Sequence, residues 1–270
     1  VFKDQPAYKA GLKTGDVIIA VNKKSTMNME LQEVVSEIKK KENKKVVLTI
    51  YRDKKSKDYT VKKSSVQLDT VSYKMKEKKI GYIAVSQFLE NTGDQFDKAV
   101  TALEKKGMKS LIIDLRDNGG GLLNTCTQMV SRVIDKDKLI VYTKDKEGNK
   151  EEFKSDSGKT LDIPIIILVN GNTASASEIM TGCLKDYGKA TVVGTTTYGK
   201  GIVQNIMPLT DGSAIKFTIA KYYTPNGTDI HKKGIKPDVK VKMSDAQWKK
   251  AQTDEKADKQ LKKAIELLEK

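Results

Sequence analysis

Ile163-Pro164-Ile165-Ile166-Ile167-Leu168-Val169 runs into Asn170-Gly171-Asn172-Thr173-Ala174-Ser175. The chain then takes up helical spacing, with Ile179, Met180, Cys183 and Leu184 on one side. So long an apolar run reads as a strand covered on both faces, and the small residues after it read as a loop at its carboxyl end. The helix should stop near Gly188, and Thr191 to Val193 supplies a further strand. The same order occurs upstream. Leu111-Ile112-Ile113, broken by Asp114 before Leu115, leads to Asp117-Asn118-Gly119-Gly120-Gly121 and a helix with Leu122, Cys126, Met129, Val130 and Val133 inward. Strand, loop, helix and strand at this spacing predict parallel βα crossovers and an α/β fold.

Further upstream, this region opens with a strand over Ile80 to Val85 and a helix marked by Phe96, Val100 and Leu103, ending at Gly107. Leu139 to Tyr142 and Glu151 to Phe153 read as strands around a turn at Glu147-Gly148-Asn149. One lysine-rich C-terminal helix is expected, anchored by Trp248, Leu261, Ile265 and Leu268, with Asp258/Lys262 and Glu266/Lys270 spaced for i,i+4 pairing. Toward the other end, Val17 to Val21, Val46 to Tyr51 and Tyr59 to Val61 read as strands of a small mixed domain. Leu31, Val34, Val35 and Ile38 mark its helix. The expected division is therefore 1–66 for the small domain, 67–79 for a connector or cap strand, 80–242 for the larger core and 243–270 for a helical extension.

Composition narrows the function. The chain has 270 residues, 38% apolar and 31% charged, which suits a folded globular protein. Its apolar runs fall far short of the roughly 20 residues that cross a bilayer, and no basic-then-apolar leader opens the sequence. Two cysteines and a single histidine, His231, leave no room for a disulfide framework, a four-cysteine zinc site or a two-histidine metal site. His231 sits in a polar turn-like stretch and reads as exposed or structural. The net charge of +15 raises a nucleic-acid reading, but only three of the 50 basic residues are arginine (Arg52, Arg116 and Arg132). Base-edge and bidentate phosphate contacts favour arginine, so the lysines read mainly as a solvated face, with no specific nucleic-acid partner.

Ligands of open parallel sheets bind beyond the carboxyl ends of the strands, which here are the loops 117–121 and 170–175. Gly119, Gly120 and Gly121 read equally as a plain turn or as a loop whose amides receive a developing oxyanion. Ser175 lies where a helix should begin. Ser177 is a rival hydroxyl, and capping or packing is the plainer role for either. With histidine unsuitable, a neutral amine could serve as base. A free lysine titrates near 10.4, so bringing it to about 7–8 requires about 3–5 kcal/mol against the charged form. Lys200 stands out because Gly199 and Gly201 let the chain bend and Ile202 and Val203 suggest partial burial.

Three stretches then act together. Pro6-Ala7-Tyr8-Lys9-Ala10-Gly11-Leu12-Lys13-Thr14-Gly15-Asp16, Thr173-Ala174-Ser175-Ala176-Ser177-Glu178-Ile179 and Tyr198-Gly199-Lys200-Gly201 resemble the C-terminal processing peptidase family. The resemblance runs from Gln5 to about Val241. It implies a crotonase- or ClpP-like α/β core with a small PDZ-like mixed domain, N-terminally truncated, and a cap region to which Lys74 to Lys79 could contribute. It further implies a serine endopeptidase with Ser175 as nucleophile, Lys200 as general base and Gln204 supporting the lysine. Gly119, Gly120 and Gly121 fall in the family's oxyanion-loop region, although Gly119 stands where proline is usual; Gly120 or its neighbours are the expected amide donors. Glu178 is expected only to complement the positive end of the helix. No metal and no organic cofactor is implied.

Implied partners are protein or peptide substrates with accessible C-termini and a ligand of the PDZ domain. The implied location is extracytoplasmic, with membrane association through residues outside this sequence. The alternative is a non-hydrolytic PDZ scaffold that binds protein C-termini, and an acyl-CoA-binding crotonase is a weaker third reading.

Overall fold

A computed structural model describes residues 1, 5–40, 44–64, 68–156, 160–210 and 212–269. The chain divides into two compact units, Val1–Leu68 and Asp69–Lys270. The expected boundary at 66/67 lies outside the described residues.

In the first unit a short helix α1 (Pro6–Lys9) precedes β1 (Val17–Val21), β2 (Lys24–Ser25), helix α2 (Leu31–Lys39), β3 (Lys45–Arg52) and β4 (Lys55–Lys62). The strands form an antiparallel sheet in the order β2-β1-β3-β4. Its core is Leu12, Val21, Val46, Leu48, Ile50 and Val61, with Val34 and Ile38 of α2 packed on it. Leu31, expected on the same face, is 73% exposed because it opens the helix.

The second unit runs β5 (Val71–Met75), β6 (Ile80–Val85), α3 (Thr92–Lys105), β7 (Ser110–Asp114), α4 (Leu123–Ser131), β8 (Leu139–Lys144), β9 (Lys150–Lys154) and β10 (Ile165–Val169). It continues α5 (Ala176–Asp186), β11 (Thr191–Gly194), β12 (Ile202–Pro208), β13 (Ala214–Tyr223), β14 (Val239–Lys240), α6 (Asp245–Ala251) and α7 (Lys259–Leu268). Its main sheet has the order β14-β11-β10-β7-β6-β5, with β5 antiparallel at one edge and the other pairs parallel.

Every residue of β7 and β10 is buried, and the reason is coverage on both faces. Ile113, Ile165 and Ile167 pack with Phe96, Leu103, Met129 and Ile179 from α3, α4 and α5. Ile112, Ile166 and Leu168 pack on the other face with Leu261 and Ala264 of α7. The period-2 alternation of a strand thus hides inside a continuous apolar run. Asp114, the one charge in the run, accepts from Tyr82 Oη at 2.7 Å and from the Arg116 guanidinium at 2.5 Å.

Two expectations are corrected. The C-terminal segment is two helices, α6 and α7, with a 3-10 turn between them. Asp258 does not reach for Lys262; it caps α7, accepting from the amides of Gln260 and Leu261, and grips Arg116 in a two-bond fork at 2.7 and 2.9 Å. Lys270, expected opposite Glu266, lies outside the described residues. A second sheet, β12-β13-β8-β9, includes a long hairpin that carries Met207, Ile215, Phe217 and Ile219 on exposed positions of one face.

Candidate active site

The carboxyl ends of β7 and β10 deliver two loops side by side, and Asn118 knots them together. Its carbonyl accepts from the Ala174 amide at 3.0 Å and from Ser177 Oγ at 3.0 Å. Its side-chain amide donates to the Val85 carbonyl at 2.8 Å, and its side-chain oxygen accepts from the Gly120 amide at 2.9 Å. These bonds distinguish the surroundings of the two hydroxyls. Ser177 is fully buried and its hydroxyl is committed to Asn118, so it packs.

Ser175 sits at the N-cap of α5 with φ 59° and ψ −120°. A side-chain-bearing residue held there stores about 1–3 kcal/mol of strain, tolerated when its surroundings fix it. Part of that fixing comes from Gly120, at φ 96°. A Cβ on Gly120 would come within 2.6 Å of the Ala174 carbonyl oxygen, 2.8 Å of Ser175 Cβ and 2.9 Å of the Ala176 nitrogen. Only glycine allows the loop so close to the serine.

Glu178 is the residue whose role the sequence reading missed. Its side chain is fully buried and takes four donors: the amides of Ser175 (2.9 Å), Gly199 (2.7 Å) and Lys200 (2.8 Å), and the Thr197 hydroxyl (2.5 Å). One carboxylate therefore ties the Ser175 loop to the Lys200 loop. The visible signal was the Ser175-x-x-Glu178 spacing of a capping box. The donors from 197, 199 and 200 come from tertiary structure. The lysine loop is stapled further by Tyr198 N to the Thr173 carbonyl at 2.9 Å and Lys232 N to the Gly199 carbonyl at 2.8 Å.

Ser175, Lys200, Gly119, Gly120 and Gly121 line one cleft of about 470 Å³, with Asp117, Ser86 and Gln87 at its walls. The partial burial expected of Lys200 is not found: the residue is exposed, while Gly199 and Gly201 on either side of it lie close against the 230–234 turn. Gln204 lies on β12 with an exposed side chain and does not line the cleft. The Gly120 amide is taken up by Asn118. Among the described residues, the amides of Gly119, Gly121 and Ala176 have no acceptor within the chain.

His231 is half-buried and outside the cleft; its backbone amide donates to Asp229, and its Nδ1 is buried without a partner. Cys126 and Cys183 are both buried thiols, and burial pushes Cys126 up to about 12. Among the described residues no group of three metal-ligating side chains occurs, and no helix is long and apolar enough to cross a membrane.

Residues 79–241 match the model of Peptidase family S41, and residues 1–52 match a PDZ domain model. The chain belongs to peptidase family S41. This S41 chain is 43% identical over 241 residues to a probable CtpA-like serine protease of Staphylococcus aureus, covering 88% of the chain and 48% of that protein. It is 41% identical over 244 residues to the carboxy-terminal processing protease CtpA of Bacillus subtilis, covering 90% of the chain and 52% of that protein. It thus spans about half the length of the curated relatives it matches. Among solved structures, the photosystem II D1 C-terminal processing protease matches with a TM-score of 0.61 and 30% identity over 87% of this chain and 65% of that one. An S41 protease from Bacteroides fragilis shares the fold, with a TM-score of 0.64 over 100% of this chain and 76% of that one, at 18% identity. The expected α/β fold with a PDZ domain is the fold of this family.

Proposed function

We propose that this chain is a serine endopeptidase that cuts proteins in their C-terminal region with Ser175 as nucleophile and Lys200 as general base. The observation that carries the reading is the meeting of Ser175, Lys200 and the 119–121 loop in one cleft, with Glu178 tied to both reactive segments. Neutral Lys200 takes the hydroxyl proton as Ser175 Oγ bonds to the scissile carbonyl carbon. The carbonyl oxygen, now negative, is received by backbone amides of the 119–121 loop and Ala176. Lys200 returns the proton to the departing amine as the C–N bond breaks. Water, deprotonated by the same amine, then attacks the acyl carbon, and the amine passes that proton to Ser175 Oγ as the ester bond breaks.

Lys200 is open to solvent, so a bound peptide must close over it to keep water from the reacting atoms. Gln204, four residues along the chain, is assigned to steady Lys200 in that closed arrangement. The substrates are proteins with accessible C-terminal segments, the PDZ domain recruits or regulates them, and the site of action is outside the cytoplasm. The test is cleavage of an unfolded protein by wild type and Ser175→Ala. Loss of cleavage in a folded variant is expected. Equal cleavage by both would overturn the reading, and tail binding without Ser175-dependent cleavage would favour a PDZ scaffold.

A further inference from the structure

The C-terminal segment touches the wall of the cleft through Trp248. Trp248 of α6 lies over the Arg116 guanidinium, 4.5 Å from its ring centre, and donates its indole N–H to Asp117 Oδ2 at 2.8 Å. The stacking accounts for an aromatic ring at 248, since Arg116 is locked between Asp114 and Asp258 beneath it. It does not account for the aim of the N–H. Asp117 is the first residue of the glycine loop, holds φ 57°, and lines the cleft. Its second oxygen accepts from Asn170 Nδ2 at 2.8 Å and Asn172 Nδ2 at 2.9 Å, both on the loop that ends in Ser175. Its amide donates back to Asn170 Oδ1 at 3.0 Å. Asn118, next in the chain, carries the bonds to Gly120 and Ala174.

We propose that Trp248 is a positioning residue of the reaction: its indole N–H fixes Asp117 so that the glycine loop and the nucleophile loop keep their register. The claim rests on the peptidase reading of the cleft. Helix α6 thereby acts as a strut, setting the placement of amides it never touches. Partial burial pushes the Asp117 carboxyl upward, but donors from Asn172, Asn170 and Trp248, with Arg116 nearby, outweigh it and leave its pKa lowered. The carboxylate is therefore held ionised as the acceptor this clasp needs. A displacement of about 1 Å at such a loop is enough to cost up to a hundredfold in rate, with substrate binding little changed.

The test compares the whole chain with Trp248→Phe, which keeps a ring over Arg116 but removes the N–H, and with Asp117→Asn, which leaves α6 untouched. Amide hydrogen exchange is followed at Asp117, Gly120 and Ala174, whose acceptors, on Asn170 and Asn118, all lie in the clasp. Peptide turnover is measured in parallel, with Ser175→Ala as control. Trp248→Phe is expected to lower kcat roughly tenfold, the scale of one hydrogen bond to a charged group, with KM within about twofold. It should speed exchange at those three amides by a similar factor while β6 and β10 stay protected. The double variant should be no worse than the worse single one. Unchanged exchange in Trp248→Phe, unchanged kcat despite faster exchange, or additive losses would each overturn the proposal. Turnover that survives Ser175→Ala would instead refute the peptidase reading, and the exchange data would still decide the clasp.

Discussion

Replacing Glu178 by glutamine should damage stability and chemistry together, and the size of the effect follows from the four donors around it. Ser175 N and Lys200 N converge on Oε2, while Gly199 N and the Thr197 hydroxyl converge on Oε1. Glutamine has one acceptor oxygen, so two of the four bonds are lost. Its amide group also faces two donors head-on in a fully buried site. A hydrogen bond to a charged group contributes about 1.5–3 kcal/mol, and orphaned buried donors add their own cost. Allowing for local relaxation, the net loss should be about 3–5 kcal/mol, the usual scale for breaking a buried charged network. At about 2–4 °C per kcal/mol for a unit of this size, Tm should fall by about 6–20 °C. Below the new Tm, kcat should drop by about a hundredfold or more, because the serine and lysine loops lose their common anchor. Thermal unfolding followed by circular dichroism, with turnover measured on the folded fraction, checks both numbers. A Tm within 2 °C of wild type with kcat within twofold would refute the reasoning.

Other perturbations separate neighbouring claims. Gly120→Ala meets the Ala174 carbonyl, Ser175 Cβ and the Ala176 nitrogen at 2.6–2.9 Å from a left-handed backbone, and should cost at least about 2 kcal/mol and most of the activity, read by Tm and kcat. Arg116→Met leaves Asp114 and Asp258 buried without their partner; a loss of about 3–5 kcal/mol is expected in chemical denaturation. In the first unit, the hydrogen bond from Arg52 lowers the Asp16 carboxyl to about 2. Its folded pKa lies below the unfolded value of about 3.9, so its contribution is present above pH 4 and fades as pH falls toward 2. Asp16→Asn should flatten that part of the stability-versus-pH curve for this unit, and an unchanged acid limb would contradict the assignment.

What the sequence disclosed followed physical range. Leu111 to Leu115 and Ile163 to Val169 were readable as buried parallel strands because coverage on both faces leaves a continuous apolar run. Ser175 was readable as a helix start because capping is local. The β12–β13 hairpin was not, because its apolar residues Met207, Ile215, Phe217 and Ile219 sit exposed, away from any core that would give them a periodic partner. Asp258 looked like an i,i+4 partner of Lys262, yet Arg116, 142 residues away in sequence, takes it. Glu178 looked like a charge at a helix end, and three of its four donors lie 19 to 22 residues on. Lys200 was expected to be partly buried with its apolar successors, but Ile202 and Val203 belong to an edge strand and are themselves only half-buried. Pattern reports the neighbours along an element; the site is assembled from loops that only the tertiary fold brings together.

The most direct measurement is the rate at which a fluorophosphonate modifies the chain, followed by peptide mapping across pH in wild type and Lys200→Ala. Modification is expected on Ser175, with a pH dependence that Lys200→Ala lacks, and slowed by about a hundredfold or more in that variant. Modification at another serine, or at Ser175 with the same rate and pH profile in Lys200→Ala, would contradict the account.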